Sequence, residues 1–304
     1  MTVLPNVFLL PLLACLGIVN RINPFIGMIF VAYPAQPAYQ KAYCFGWHAR
    51  LIKVRPWLVG WYRQNDLAGL MFVVSLTDRD LLDPNTKTLL RRLVRRVEMI
   101  RRLVGAKQSS YAGIIPGVLA RHGLRRECPE TETTVAAVGR ALDELCALIE
   151  YETDTPVIVL GGRGHVGRLL VKLLQLWGRE VYSVDLLEGR RVNHEEWPMS
   201  LVRRKVILVS LVPMPVVENY LFSFWPEIVI LNEAYPPPGE QEIANLQGVG
   251  VRVFHVVGVE ALSLPQFPLD YQGGIPCCAA WNSPGMRVIL RELTLNGHQK
   301  VSKV

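Results

Sequence analysis

The sequence lacks the cysteine patterns that mark metal-binding and disulfide-rich proteins. Its six cysteines are scattered, with no Cys-x-x-Cys pair and no nearby cluster of cysteine and histidine. A structural zinc site is therefore not expected, and we predict no metal site. The cysteines are also far too sparse for a small secreted domain held by disulfides. These absences predict reduced thiols and a cytoplasmic protein.

Long apolar runs are missing too, since no segment reaches the about 18 uninterrupted apolar residues that a membrane-spanning helix needs. The run from Val7 to Val19 contains Pro11, which is expected to interrupt a helix. No lysine or arginine precedes Arg21, although a signal peptide would carry a basic start. We interpret residues 1–25 as a hydrophobic leader. It either makes peripheral contact with a membrane or lies upstream of a later start at Met28.

Charged residues make up only 19% of the chain, whereas half of its 304 residues are hydrophobic. This composition excludes intrinsic disorder and is sufficient for one large domain or two modest ones. The net charge of +7 indicates an acidic partner or an anionic ligand.

The first half of the chain mixes predicted strands and helices. Short buried strands are expected at Gly27–Tyr33 and Gly69–Leu76, and a basic helix is expected from Pro84 to about Leu103. A loop of small residues, 105–113, follows, and the spacing of apolar residues predicts another helix over Thr133–Glu150. We therefore predict an N-terminal mixed α/β lobe over residues 26–150, which would contribute substrate-binding and catalytic groups.

The basic helix carries a row of arginines opposite its apolar positions: Arg91, Arg92, Arg95, Arg96, Arg101 and Arg102. This face is either simply solvated or a docking surface for an acidic carrier protein, for the phosphates of a CoA thioester or for anionic lipid. Nucleic acid is not expected, because no aromatic stacking platform accompanies the charge.

From Pro156 onward, strand-like runs alternate with helices. The runs are rich in β-branched and aliphatic residues, as in strands that are buried on both faces: 157–160, 180–184, 205–211, 227–231 and 251–257. Alternating β and α elements predict a doubly wound parallel sheet. The predicted fold class is α/β, with a Rossmann dinucleotide-binding domain over residues 151–275. Residues 276–304 are expected to form a C-terminal helix that packs back on the N-terminal lobe.

One motif carries specific chemistry, the GxGxxG sequence Gly162-Arg163-Gly164-His165-Val166-Gly167. It follows a predicted strand directly and opens an amphipathic helix. The first glycine permits a tight turn, the second permits close approach of a pyrophosphate, and the third permits close packing of helix on strand. The N–H groups at the helix start would then bind phosphate. We predict that all six residues contact a dinucleotide.

Asp185 ends the next predicted strand, about 20 residues beyond the glycines, where an acid commonly binds the adenosine ribose. That position favours NAD, because a carboxylate would repel the 2′-phosphate of NADP. Arg190 lies close behind and could bind that phosphate instead, so the cofactor is predicted as NAD or NADP. The alternative is a Rossmann-like domain that has lost its ligand.

Two segments in the second half carry a family resemblance. One runs from Asn232 to Pro238 (NEAYPPP) and the other from Gly250 to Glu260 (GVRVFHVVGVE). With the helix that bridges into the Rossmann unit, this order resembles the dehydrogenases related to shikimate dehydrogenase and glutamyl-tRNA reductase. Within that group the chain is most similar to long-chain acyl-[acyl-carrier-protein] reductases, over residues 26 to 295.

The resemblance implies a cysteine that accepts an acyl group before hydride from the nicotinamide releases an aldehyde. Cys278 is the candidate that matches the family pattern, and Cys277 is the second. An inert, buried pair is the alternative. Lys107, with Ser109 and Ser110, would bind a ligand oxygen or belong to an ordinary loop.

By the same resemblance, Tyr235 would line the nicotinamide pocket. Two departures stand against the family pattern. Asn232 replaces the usual acid before the Tyr-Pro element, and Cys278-Ala279-Ala280-Trp281 lacks the glutamate of the family's Cys-x-Ala-Glu.

Three functions remain open from the sequence. The first is an NAD(P)H-dependent oxidoreductase that reduces an acyl thioester, on acyl carrier protein or CoA, through a cysteine thioester. The second is a dehydrogenase similar to shikimate dehydrogenase, acting on a small polar substrate by direct hydride transfer. The third is a non-catalytic protein that binds NAD(P).

Overall fold

The computed structural model describes residues 6–34, 46, 49, 52–125, 127–186, 193–267, 271, 273–295 and 301–303. The chain divides into two compact units. Unit 1 comprises Met1–Glu130, Ala261–Phe267 and Ile275–Trp281, and unit 2 comprises Thr131–Glu260, Pro268–Gly274 and Asn282–Val304. The division therefore falls at Glu130, near the start of a helix, and not at residue 150 as the sequence had led us to expect.

The helices of the described chain are α1 (Asn6–Ile22), α2 (Asp78–Leu82), α3 (Lys87–Val104), α4 (Ile115–Arg121), α5 (Pro129–Ile149), α6 (His165–Leu176), α7 (Met214–Glu218) and α8 (Glu240–Gly248). The strands are β1 (Ile26–Ala32), β2 (Trp57–Gln64), β3 (Leu67–Val73), β4 (Gln108–Tyr111), β5 (Val157–Leu160), β6 (Val181–Val184), β7 (Val206–Ser210), β8 (Ile228–Asn232), β9 (Arg252–Glu260), β10 (Leu262–Leu264), β11 (Gly274–Ile275), β12 (Val288–Leu293) and β13 (Val301–Lys303).

Unit 1 is built on a sheet with strand order β10-β2-β3-β1-β4. Its centre is parallel, because β1 pairs in parallel with both β3 and β4, whereas β2 and β3 form an antiparallel hairpin. The two strands expected in this region correspond to β1 and β3. Strand β4 lies within the segment 105–113 that we had interpreted as a loop. The sequence of β4 is polar and so does not indicate a strand, but pairing with β1 stabilises it.

Helices α1 and α3 cover one face of this sheet. Leu13 and Leu93 share a buried cluster with Ile29 and Phe72 of the strands. Pro11 lies inside α1, so the expectation that it interrupts the helix is wrong. Packing on the sheet and on α3 compensates for the single backbone hydrogen bond that a proline removes.

Unit 2 is a larger sheet with strand order β13-β12-β9-β8-β7-β5-β6. The strands from β9 to β6 in this order are parallel, and they coincide with the five runs expected from the sequence. Helices α6, α7 and α8 separate β5 from β6, β7 from β8 and β8 from β9, and a 3₁₀ turn at Met199–Leu201 lies between β6 and β7. The unit therefore has the α/β pattern of a doubly wound fold. From β5 the chain continues to β6, on one side of the sheet, whereas from β7 it continues to β8, on the opposite side. The crevice between the carboxyl ends of β5 and β7 is therefore the topological switch point, where ligands bind in such sheets.

The last part of the chain corrects one expectation. No helix is found in the described residues beyond 275, where we had expected one. Cys277–Ala279 forms a single 3₁₀ turn, and β12 and β13 extend the sheet of unit 2. The reason is the apolar run Val288-Ile289-Leu290, which pairs antiparallel with β9 and is buried on both faces.

In the described part of the chain, no helix is both long and apolar enough to cross a membrane.

Candidate dinucleotide site

The loop between β5 and α6 begins at Gly161, one residue before the predicted glycine motif. Gly161 adopts φ of 88°, a left-handed conformation that suits glycine. The Gly161 N–H donates to the carbonyl of Val184 at 2.8 Å, which ties the loop to the end of β6. A Cβ on Gly167 would lie 2.7 Å from Cα of Gly162, so this glycine lets α6 pack against the loop. Steric contact thus requires glycine at the third position of the motif.

Gly164 precedes the first turn of α6 and is exposed. The nearest described atom to a Cβ built there is the carbonyl oxygen of Gly161, at 3.1 Å. No side chain among the described residues caps this helix. Its first-turn N–H groups are therefore available to an anion, which the helix dipole would favour.

Asp185 lies at the carboxyl end of β6, directly beside the loop. Its Oδ2 atom accepts a hydrogen bond from the backbone N–H of Arg163 at 2.8 Å, and its Oδ1 atom accepts one from Leu186. The guanidinium of Arg163 forms an ion pair with Glu196. Arg190, the predicted alternative contact for a 2′-phosphate, lies outside the described residues.

The two remaining motif residues, His165 and Val166, occupy the first turn of α6 and are half-buried. The Nε2 atom of His165 is buried and has no hydrogen-bond partner in the described structure. A buried ring nitrogen that lacks a partner can still bind a ligand atom.

The carboxyl end of β8 brings an acid to the same edge of the sheet. The backbone N–H of Glu233 donates to the carbonyl of Ser210, the last residue of β7, at 3.0 Å. Burial raises the pKa of the Glu233 carboxyl to about 7. Sequence reasoning singles out Asn232 and not Glu233, although an acid directly after a buried parallel strand is itself a signal for a site.

Tyr235, which the family resemblance implies for the nicotinamide pocket, stacks on Tyr271 with ring centroids 5.3 Å apart. It is half-buried and follows Glu233 in the loop after β8.

A buried polar row crosses four neighbouring strands of unit 2. Ser210, Asn232, His255 and Arg291 are cross-strand partners in turn, so their side chains project from the same face of the sheet. All four are buried. Nδ1 of His255 lies 3.0 Å from both the side-chain Nδ2 and the carbonyl oxygen of Asn232. Sequence reasoning missed this row, because it joins residues that are far apart in the chain.

Two members of this row carry unusual electrostatics. Burial, reinforced by the charge of Arg291, lowers the pKa of His255 to about 4. The imidazole is therefore neutral at physiological pH. The Nε atom of Arg291 is buried without a hydrogen-bond partner among the described residues. The row thus holds a cation beside a neutral histidine.

The candidate catalytic residues Lys107, Cys277 and Cys278 belong to unit 1, where the 3₁₀ turn of the cysteines packs beside β4. Lys107 precedes β4 and is exposed. Ser110 in β4 is buried and donates to Sδ of Met28 at 3.0 Å, so it does not present its hydroxyl at a surface.

Cys277 is buried and Cys278 is half-buried. The Cys278 thiol lies near the phenols of Tyr33 and Tyr62, whose pKa values are raised chiefly by burial. The sequence predicts that a C-terminal helix begins at these cysteines. The cysteines instead form a three-residue turn, which is too short to carry a substantial dipole.

In the described ranges, no cluster of three or more histidine, cysteine, aspartate or glutamate side chains is arranged to hold a metal ion.

No protein-family model matches the chain, and no curated protein matches it. Among similar solved structures, glutamate dehydrogenase from Peptoniphilus asaccharolyticus is 13% identical with a TM-score of 0.36, over 75% of this chain and 64% of that one. L-tryptophan dehydrogenase from Nostoc punctiforme is 13% identical with a TM-score of 0.33, over 75% and 68%. O-succinylbenzoate coenzyme A synthetase from Bacillus subtilis is 9% identical with a TM-score of 0.31, over 93% and 65%. These likenesses are too distant to assign an activity.

Proposed function

We propose that this protein is an oxidoreductase that binds NAD or NADP on unit 2. The observation that carries the proposal is the hydrogen bond between Asp185 and the backbone of Arg163. It joins an acid at the end of β6 to a glycine loop that opens α6. This combination provides a ribose acceptor and a pyrophosphate-binding helix start beside the switch point of a doubly wound sheet.

The residues divide into binding and proton-transferring groups. The N–H groups at the start of α6 would bind the pyrophosphate, and Asp185 would accept hydrogen bonds from the adenosine ribose. The nicotinamide supplies hydride chemistry when bound. Glu233, at the end of β8, would give or take the accompanying proton, because its pKa of about 7 leaves both protonation states populated at neutral pH.

The charge of Asp185 favours NAD over NADP in this proposal. A carboxylate that is held beside the loop by two backbone N–H groups cannot turn away from a 2′-phosphate without losing those hydrogen bonds. Repulsion between this carboxylate and the 2′-phosphate, which NADP carries and NAD lacks, would therefore weaken the binding of NADP.

Binding of NADH and NADPH to the purified full-length protein, followed by calorimetry, tests the proposal. We expect saturable binding, tighter for NADH. It should be weakened in Asp185→Ala and unchanged in Asp154→Ala, which alters an exposed acid on another loop of unit 2. Absence of binding by either dinucleotide to folded protein would overturn the proposal.

A second, finer candidate is reduction of an acyl thioester through Cys278, which is the less buried of the two adjacent cysteines. The thiolate of Cys278 would attack the thioester carbonyl and release the thiol of the carrier or of CoA. Cys278 would hold the acyl group as a thioester and leave as the thiolate when that thioester is reduced to the aldehyde, with the hydride that bound NAD(P)H would supply.

Mass spectrometry of products from a long-chain acyl-CoA or acyl-carrier thioester, with NADH or NADPH, tests this candidate. We expect aldehyde from the natural protein and from Cys277→Ala, but none from Cys278→Ala, which should still bind dinucleotide. Aldehyde formation by Cys278→Ala would rule out the mechanism. Turnover of a soluble hydroxy or amino acid without a covalent intermediate would favour the small-substrate dehydrogenase. Binding without any turnover would favour a non-catalytic NAD(P)-binding protein.

A further inference from the structure

Helix α1 exposes an apolar face between Leu10 and Ile22. Its exposed side chains include Leu12 at 52%, Ile18 at 59%, Val19 at 52% and Ile22 at 81% of their area. These residues recur at helical spacing, with exposed Cys15 between them. The opposite side of the helix is buried by packing within unit 1, so the exposed face is separate from the core of the unit.

The outward face of helix α3 is basic. Arg91, Arg92, Arg95 and Arg102 are exposed there. Glu98 is the single acidic residue in the sequence of this helix, and Arg101 and Arg102 both form ion pairs with it. The other arginines of the outward face therefore retain an excess of positive charge.

Crowding among the arginines is visible at Arg96. Partial burial and the neighbouring charges of Arg55 and Arg92 lower its pKa. Like charges held this close to one another favour an anionic counterpart.

The apolar and the basic faces lie side by side on one surface. Helix α1 leads into β1 and helix α3 leads into β4, and because these strands are parallel neighbours, the two helices run in the same direction. Both helices contribute to the same buried cluster on one face of the sheet. The side chain of Asn20 donates to the carbonyl of Val104 at 3.1 Å, and Arg21 donates to that of Arg102 at 2.8 Å. These bonds hold α1 against α3.

We infer that the outer surface of α1 and α3 docks on a bilayer that contains anionic lipids. The apolar side chains of α1 would enter the boundary between headgroups and acyl chains, and the arginines of α3 would meet lipid phosphates. Helix α1 would lie along the surface, which agrees with the absence of a membrane-spanning helix from the described chain. The inference does not depend on the proposed oxidoreductase activity.

A second copy of the chain fits this surface less well. In a two-fold symmetric dimer the same patch meets itself, so the apolar faces of α1 could be buried but the arginines of α3 would gain no anionic counterpart from the identical patch. An acidic carrier protein would form ion pairs with the arginines of α3, but its charged surface would not bury the apolar side chains of α1. An anionic bilayer offers acyl chains to the apolar face and phosphates to the basic face.

Flotation of the full-length protein with lipid vesicles tests the inference. We expect binding to vesicles of phosphatidylcholine mixed with phosphatidylglycerol, weaker binding to phosphatidylcholine alone, and partial release at high salt. The triple variant Arg91→Gln, Arg92→Gln, Arg95→Gln should bind the mixed vesicles roughly a hundredfold more weakly. The double variant Ile18→Ser, Ile22→Ser should lose binding to a similar extent.

Two control variants remove similar side chains elsewhere. Leu176→Ser alters an apolar residue on α6 that is 74% exposed, and Arg121→Gln alters an exposed arginine on α4. Both should bind mixed vesicles as the natural protein does, and circular dichroism would verify that every variant is folded. Equal binding to both lipid compositions would overturn the inference, as would retained binding in either surface variant. Dimerisation, or binding of an acidic carrier protein without vesicle binding, would also overturn it.

Discussion

The carboxylate of Asp185 accepts a hydrogen bond from the backbone N–H of Arg163 at 2.8 Å, across the gap between the end of β6 and the glycine loop. An acid that touches this loop is well placed to bind a ribose hydroxyl while the adjoining helix start binds phosphate. The two residues would thus connect the ribose and pyrophosphate parts of the proposed dinucleotide site, and the next two predictions test each part.

Two glycine substitutions should separate folding from ligand binding. Gly167→Ala places a Cβ against the backbone of Gly161 and Gly162, so we expect the free energy of unfolding to fall by about 1–3 kcal/mol. Gly164→Ala places a Cβ 3.1 Å from the carbonyl oxygen of Gly161, a milder contact, at the exposed approach to the helix start. It should lower the melting temperature less than Gly167→Ala does but lose more dinucleotide affinity. Differential scanning calorimetry and titration with NADH would measure both effects. Natural affinity in Gly164→Ala would contradict the placement of the pyrophosphate.

Replacing Asp185 by asparagine should change the choice of cofactor. The amide oxygen can still accept the Arg163 N–H, but the negative charge is gone. We expect NADH affinity to fall about tenfold, because a hydrogen bond to a charged group is replaced by a neutral one. NADPH affinity should fall less or rise. The ratio of the two dissociation constants is the measurement, with Asp154→Asn as the control, and an unchanged ratio would exclude Asp185 from the ribose site.

The activity should titrate with Glu233. Because burial raises its pKa to about 7, the acid is protonated below that pH and can donate a proton during reduction. Reduction rates should therefore fall as the pH rises through about 7, and oxidation rates should rise over the same range. Glu233→Gln should remove this pH dependence, whereas Glu240→Gln, at an exposed position on α8, should retain it. An identical pH profile in Glu233→Gln would exclude the proton-transfer role.

Stability should depend on pH through Glu130, a buried carboxyl in unit 1 that forms an ion pair with Arg125. Burial raises its pKa from 4.5 to about 7, with Arg125 acting in the opposite direction. A raised pKa in the folded state gives stability that is complete below pH 4.5 and is lost as the pH rises through about 7.

The variant Glu130→Gln removes this titration. Its stability relative to the natural protein should therefore increase by about 3 kcal/mol between acidic and mildly alkaline pH. Urea unfolding across this range would measure the difference. Glu132→Gln, at an exposed position on the same helix, should show no such pH-dependent change in relative stability. A stability difference between Glu130→Gln and the natural protein that stays constant with pH would contradict the expectation.

Arg291→Met should stabilise unit 2 in the absence of any ligand. The Nε atom of Arg291 is buried without a partner among the described residues, whereas Met keeps a flexible apolar side chain and removes the charge. A rise in melting temperature of about 2–4 °C is expected for a gain of about 1 kcal/mol. The pKa of His255, measured by NMR, should rise, since the charge of Arg291 helps to lower it. A lower melting temperature would mean that Arg291 makes a necessary interaction in the folded protein.

The elements that could be predicted are those whose signal lies in consecutive residues. The strands β5, β7 and β8 are buried along their whole length, so their runs of apolar residues are uninterrupted. β4 has a polar sequence and is stabilised by pairing with β1, which lies about 80 residues earlier in the chain. β12 was mistaken for a helix because a short apolar run does not distinguish the two structures, and its pairing with β9 decides.

The features of the candidate site likewise divide into those that depend on local sequence and those that depend on tertiary contacts. By itself, the sequence determined the glycine loop, the helix that it opens and the acid that ends the next strand, since each depends on steric and hydrogen-bonding needs within one local segment. Only the tertiary structure decided that Glu233 is desolvated, that His255 and Arg291 are neighbours, and that the apolar face of α1 lies beside the arginines of α3. Desolvation and charge proximity depend on atoms contributed by distant parts of the chain, and folding alone brings those atoms together.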